Sequence, residues 1–237
     1  MLAQKPRRWK QILGAAVFDD SSIYIDTSLH ARRKRFTQAH EIAHLMIPWH
    51  ETAFRIDDER QLFFDTENEL EAEANAAAAH ILFQGNRYHE RAAALPVSIQ
   101  APIDLAYEHD SSIHSSIRYF VEQHELPVAV LVTGRYAQFD GTLPIWQLYE
   151  SDAFLAQYGR FADHVPSSGL PVDDSEYVIG ALAMASFETT SPPAETVTLQ
   201  DADGHNHRFI AESFFNQYTV FVMVSPKRHD RPRRARR

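Results

Sequence analysis

The chain contains no cysteine among its 237 residues. Disulfides are therefore impossible and no thiolate can hold a metal. Any metal site must be built from histidine and carboxylate, with backbone or water. A cysteine-free chain also fits a cytoplasmic setting. No apolar run approaches the ~20 residues that a membrane helix needs. Glycine is sparse, at 8 residues, and no internal repeat is visible. Lys5, Arg7, Arg8 and Lys10 precede a seven-residue apolar run, Ile12 to Phe18. That run is at the short limit for the core of a signal peptide and Asp19 and Asp20 follow it directly, so it reads as a buried strand.

Hydrophobic residues make up 44 %, enough for a core. Formal net charge is −9, unevenly spread. Residues 227–237 hold seven Lys/Arg and one Asp, leaving the other 226 residues with 16 basic and 31 acidic groups, a net of −15. An acidic body with a basic tail is not a general nucleic-acid binder, and only weak contact through the tail is expected.

Residues 12–18 and Ile23–Ile25 read as two short strands joined by Asp19-Asp20-Ser21-Ser22, a hairpin. A helix is predicted from about Arg33 to Ile47, stopped by Pro48. Residues 49–66 read as a polar loop with short elements. A second helix runs from about Glu67 to Phe83 and stops at Gly85. Its Ala76-Ala77-Ala78-Ala79 stretch has high helix propensity and little bulk, so it can approach another backbone closely.

Residues 98–125 give two further helices around Asp110-Ser111-Ser112. That stretch carries five acidic residues against the single Arg118, so it should repel DNA and pack instead on the preceding helices. From Pro127 the texture turns strand-like: Val128 to Val132, Tyr177 to Phe187, Thr196 to Leu199 and Tyr218 to Val224. Gly204-His205-Asn206-His207 reads as a turn. The expected class is α+β: a zincin-like helical domain with a short N-terminal β-hairpin (1–97), a helix pair packing on it (98–126), a C-terminal β-rich α+β domain of possible sensory role (127–225), and a basic tail (226–237).

The chemistry centres on His40-Glu41-Ile42-Ala43-His44. Residues four apart lie on one helical face, ~40° from eclipsed. Two imidazoles can then meet one zinc ion. Glu41 cannot reach that ion but can reach a water on it, which suits a general base. The bland reading is a surface His pair. It is disfavoured by the convincing helix, its apolar remainder (Ile42, Ala43, Leu45, Met46) and the carboxylate-rich helix that follows. A catalytic zinc needs a third protein ligand and an open position. Glu67, Glu69, Glu71 and Glu73 are available, and some of them serve only to balance the helix dipole. Glu71 and Glu73 lie about 200° apart around the helix, so only one can face the metal. Periodicity does not choose between them. His50, His80, His89, His109, His114, His124 and His164 are expected at the surface or beside the site rather than as ligands.

Three segments resemble the ImmA/IrrE metallopeptidases: Arg35-Phe36-Thr37 leading into His40-Glu41-Ile42-Ala43-His44, then Glu71-Ala72-Glu73-Ala74-Asn75, then Ile81-Leu82-Phe83-Gln84-Gly85. The resemblance covers roughly residues 10–130. It implies that the third ligand is Glu71, four positions before Asn75. Where the family often has Phe-Ala after the asparagine, this chain has alanine throughout. The resemblance also implies a zinc endopeptidase, with manganese as an alternative ion, cutting a helix-turn-helix transcriptional repressor in response to stress or mobile-element signals. The competing reading is a metal-bound but idle scaffold whose C-terminal domain binds a partner or signal. An intact Glu41 favours the enzyme.

Overall fold

The computed structural model describes residues 13–60, 64–172 and 178–227. The basic N-terminal residues up to Ile12, Tyr177 and residues 228–237 of the tail lie outside it. Contacts group the chain into two units, Met1–Gly85 with Asp110–Ser112, and Asn86–His109 with Ile113–Arg237.

In the first unit, β1 (Gly14–Val17) and β2 (Ser22–Ile25) form the expected antiparallel hairpin, with Gly14 opposite Ile25 and Val17 opposite Ser22. Asp20 fixes the turn by accepting from both the Ser22 N–H and hydroxyl, and Ser21 takes a positive φ of 53°. Helix α1 (Ala31–Met46) follows and packs against the hairpin. Its first turns carry Arg32 and Arg35, both paired with Asp110, and Arg35 Nη1 also donates to the Asp110 carbonyl at 3.1 Å.

The segment expected as a loop after Pro48 is instead helix α2 (Pro48–Arg60). Pro48 does end α1, since Ile47 leaves the helix in an extended conformation. It also begins α2, because proline fits the first helical position, where its missing N–H has no partner anyway. Helix α3 (Phe64–Leu82) starts slightly before its predicted limit and ends where Gln84 and Gly85 turn left-handed at φ 57° and 58°. A side chain at Gly85 would also press on the His80 ring. Helices α1 and α3 pack together. Ala39, Ala78 and Leu82 form one buried cluster with Phe36 beside it, and Ala43 and Ala74 are also fully buried. Small residues let the two backbones approach, as the alanine run implies.

The second unit begins with α4 (Asn86–Ala94), which was not foreseen, then α5 (Gln100–Glu108) and α6 (Ile113–Glu122). A buried polar knot ties them: Tyr88 donates to the Ser116 carbonyl at 2.8 Å, and Ser116 Oγ donates to the Pro102 carbonyl at 2.6 Å. The strands are β3 (Ala129–Thr133), β4 (Thr142–Leu143), β5 (Ile145–Glu150), β6 (Leu170–Pro171), β7 (Glu195–Gln200), β8 (Asn206–Phe215) and β9 (Val220–Pro226), with α7 (Asp152–Tyr158) and α8 (Val178–Thr189) between them. β4 pairs with β6. The main sheet is antiparallel in the order β5-β3-β9-β8-β7.

Strands β3 and β9 are buried along their whole length, so both faces of the sheet are covered. Ala129, Leu131, Val220, Val222 and Val224 join the core with Leu182 and Ala183 of α8. On the alternate face Phe221 meets His114 of α6, and α6 rests on β3 and β5. The grouping of contacts thus puts α5 and α6 with the sheet rather than with residues 1–85, and the change of texture at Pro127 does not mark a boundary between the two units.

Two expectations in this unit need correction. The run from Tyr177 to Phe187, expected as a strand, is α8 over its described residues. An unbroken apolar run has no period to read, and here length and alanine content favour the helix. Asn206 and His207, expected in a turn, open β8 by pairing with Gln200 and Leu199. The turn itself is at Gly204, φ 84°.

Candidate metal centre

Helix α1 brings His40 and His44 to one face, and α3 brings Glu71 against them. His40 Nε2 and His44 Nε2 stand 3.1 Å apart. The two Glu71 oxygens lie 3.3 Å from His40 Nε2 and 3.6 Å from His44 Nε2. Ligands at zinc bond lengths of ~2.0–2.1 Å in tetrahedral directions stand roughly 3.3–3.4 Å apart. Two neutral imidazoles and a carboxylate are also the donor set that such an ion takes. The three residues therefore fit a divalent metal in both spacing and chemistry.

Of the two carboxylates that periodicity left open, Glu71 is the one at the histidine pair. Glu73 points away and accepts hydrogen bonds from Trp49 and His50 of α2.

His44 is buried, and its pKa is lowered to about 4 by desolvation first, then by the proximity of His40 and His50. It is held neutral, the form that binds a metal. Glu41 is 7 % exposed, and burial is the leading cause that raises its carboxyl above the usual range. The neighbouring His40 opposes that rise and Glu71 adds to it. A carboxylate raised toward neutrality is a better proton acceptor at working pH. His40, Glu41, His44 and Glu71 open on a cleft of about 550 Å³, whose opposite wall is Gly14 to Asp19 of the hairpin, with Phe54 beside it.

Residues 9–112 match the family model of the IrrE N-terminal-like domain, a peptidase family. This stretch is thus similar to the N-terminal domain of the IrrE-type peptidases. A peptidase of this type is typically metal-dependent, and His40, His44 and Glu71 are a group that could hold such an ion. A solved structure described as a Mycobacterium tuberculosis transcriptional regulator aligns over 94 % of this chain with a TM-score of 0.51 and 14 % identity. The chain spans 65 % of that protein's length, and at this identity the likeness is one of fold. No curated protein sequence matches the chain.

Three neighbours of this site were not placed by sequence reasoning, although His50 was among the histidines expected at the surface or beside it. His50 is fully buried and its Nδ1 lies 2.8 Å from Nδ1 of His44. Phe54 packs edge-on to His44 with ring centroids 5.5 Å apart. Both sit on α2, so reading residues 49–66 as a loop removed them from view. The third is Gly14, where a Cβ would meet Thr37 and Glu41. Its signal was weak, a lone glycine in a strand, which marks close backbone approach.

Among the described residues Asp201, Asp203 and His205 also cluster. They lie in the β7–β8 turn, where Asp201 already accepts from its own turn residues. No helix among the described residues is long and apolar enough to cross a membrane.

Proposed function

We propose that this chain is a zinc-dependent endopeptidase that cleaves a helix-turn-helix transcriptional repressor in the cytoplasm. The observation that carries the reading is the convergence of His40, His44 and Glu71 beside a buried, proton-accepting Glu41. His40, His44 and Glu71 would hold the ion. A divalent ion there would supply acidification of water and polarisation of the scissile carbonyl. Glu41 takes the proton from the attacking water and delivers it to the leaving amine. The β1 wall and Phe54 leave an open cleft in which an extended peptide can lie against the site.

The substrate class rests on the family likeness of residues 9–112. The β-rich region, residues 127–225, has no assigned ligand in this reading, and nucleic acid is not a partner beyond weak, salt-sensitive contact through the basic residues from Lys227 onward. Zinc is favoured by the two-imidazole set, and manganese is the alternative to compare.

The test is to incubate the purified chain with repressors from its own genetic neighbourhood, with zinc, with manganese and with chelator. Discrete cleavage of one repressor in the presence of metal is expected. A chain that binds the ion yet cuts no such repressor under any of these conditions would overturn the proposal.

A further inference from the structure

The far side of His44 is tethered. Its Nδ1 meets His50 Nδ1 at 2.8 Å, and His50 Nε2 meets Glu73 Oε2 at 3.0 Å. The same carboxylate oxygen accepts the Trp49 indole N–H at 2.6 Å. The chain of contacts therefore runs from α1 through α2 to α3. Two δ nitrogens face each other, so one must donate and the other accept.

The carboxylate decides which. Ionised Glu73 only accepts, so the hydrogen between it and His50 sits on His50 Nε2. With His50 as the neutral imidazole, its other nitrogen is an acceptor, so His50 Nδ1 accepts. The proton between the two rings must belong to His44 Nδ1. That leaves the lone pair on His44 Nε2, the atom that faces His40 and Glu71.

His40 is held differently. Its ring stacks on Phe36 with centroids 6.3 Å apart, and among the described residues its buried Nδ1 has no hydrogen-bond partner. Only one of the two histidines has its tautomer dictated from behind.

We propose that Glu73, acting through His50, is a positioning residue that locks His44 in its Nδ1–H tautomer and so presents the Nε2 lone pair to the metal. The purpose of this device rests on the metallopeptidase reading; the hydrogen-bond order does not. Outer partners of this kind fix ring orientation and raise ligand basicity. Trp49 adds a second donor to the Glu73 oxygen and holds it in place.

The experiment uses the full chain. Ring-nitrogen NMR of the metal-free protein reports the His44 tautomer, and competition with a chromophoric chelator reports zinc affinity. Wild type is expected as the Nδ1–H form. Glu73→Ala should lose that preference and weaken zinc binding by roughly 10–100-fold. Glu73→Gln, which keeps an accepting oxygen, should retain most of both. The Glu73 side chain is 45 % exposed, so its truncation opens no core cavity. His44 remaining Nδ1–H in Glu73→Ala, or an unchanged zinc affinity in that variant, would overturn the inference. A wild type that binds no divalent metal would instead remove the peptidase reading, while the ring-nitrogen result would still decide this one.

Discussion

A Cβ placed on Gly14 would stand 2.6 Å from Oε1 of Glu41 and 2.5 Å from Cγ2 of Thr37. The hairpin thus passes over the site at a distance that only glycine permits. Glu41 can swing aside, but Thr37 is β-branched and buried on α1. Gly14→Ala should therefore displace the Glu41 carboxylate and strain the contact by about 1–3 kcal/mol. Cleavage should fall sharply while metal content stays at the wild-type level. Wild-type activity together with a wild-type thermal midpoint would contradict this contact.

Glu41 lines the cleft but lies outside the trio of ligand atoms. Glu41→Gln keeps its size and removes its ability to take a proton. Cleavage should drop by roughly 10²–10⁴-fold. Metal content, measured on the same preparation, should not change. Parallel loss of metal would mean that Glu41 is a ligand.

Glu71→Ala should empty the site, because it removes one of the three proposed ligands. Glu73→Ala should only weaken it, since Glu73 touches His50 and Trp49 and not the ligand cluster. Zinc titrations of the two variants side by side give the ranking. The opposite ranking would show that the carboxylate register is wrong.

The pH dependence of the metal-free protein follows from His44. Its folded pKa is about 4, against about 6.5 in an unfolded chain. Below about 6.5 the unfolded chain takes up a proton that the folded chain refuses until about pH 4. The stability contribution is therefore complete above that upper value and is lost progressively as pH falls through the window. The slope from this one group is at most ~1.4 kcal/mol per pH unit. Urea denaturation at about pH 7, 6 and 5 should show the decline, and His44→Gln should flatten it. A slope identical in wild type and variant would refute the assignment.

Gly180 lies on α8 where a Cβ would overlap the carbonyl oxygen of Pro171. Replacing a helical glycine with alanine ordinarily gains up to ~1 kcal/mol. Here the added methyl meets backbone, which cannot rotate away, and overpacking costs about 1–3 kcal/mol or more. The expected result of Gly180→Ala is a lower thermal midpoint. A raised midpoint would place α8 farther from β6 than the structure does.

The histidine pair was legible in the sequence because four-residue spacing has one meaning on a helix. The carboxylate was not: Glu71 and Glu73 sit in equally small surroundings, and family likeness rather than periodicity chose between them. The burial of His50 against His44 was hidden by Pro48, which reads as a stop but also starts α2. The hairpin and strands β3, β7 and β9 stood out through β-branched or aromatic runs between turn residues. The helix α8 did not, since a continuous apolar stretch carries no period. The pairing that begins β8 at Asn206 was masked by the glycine turn just before it.

The alanine contact between α1 and α3 has a mechanical consequence. Alanine has no rotamers, so Ala39 and Ala78 give the helix pair no padding that could yield. The distance between the two histidines and the glutamate is thus tied to how closely these two helices pack. Any swelling of that seam passes undamped to the ligands, about two turns along α3 from Ala78. In the proposed reading, metal affinity is in effect a strain gauge for the spacing of two helices, and it would register disturbances that never touch His40, His44 or Glu71.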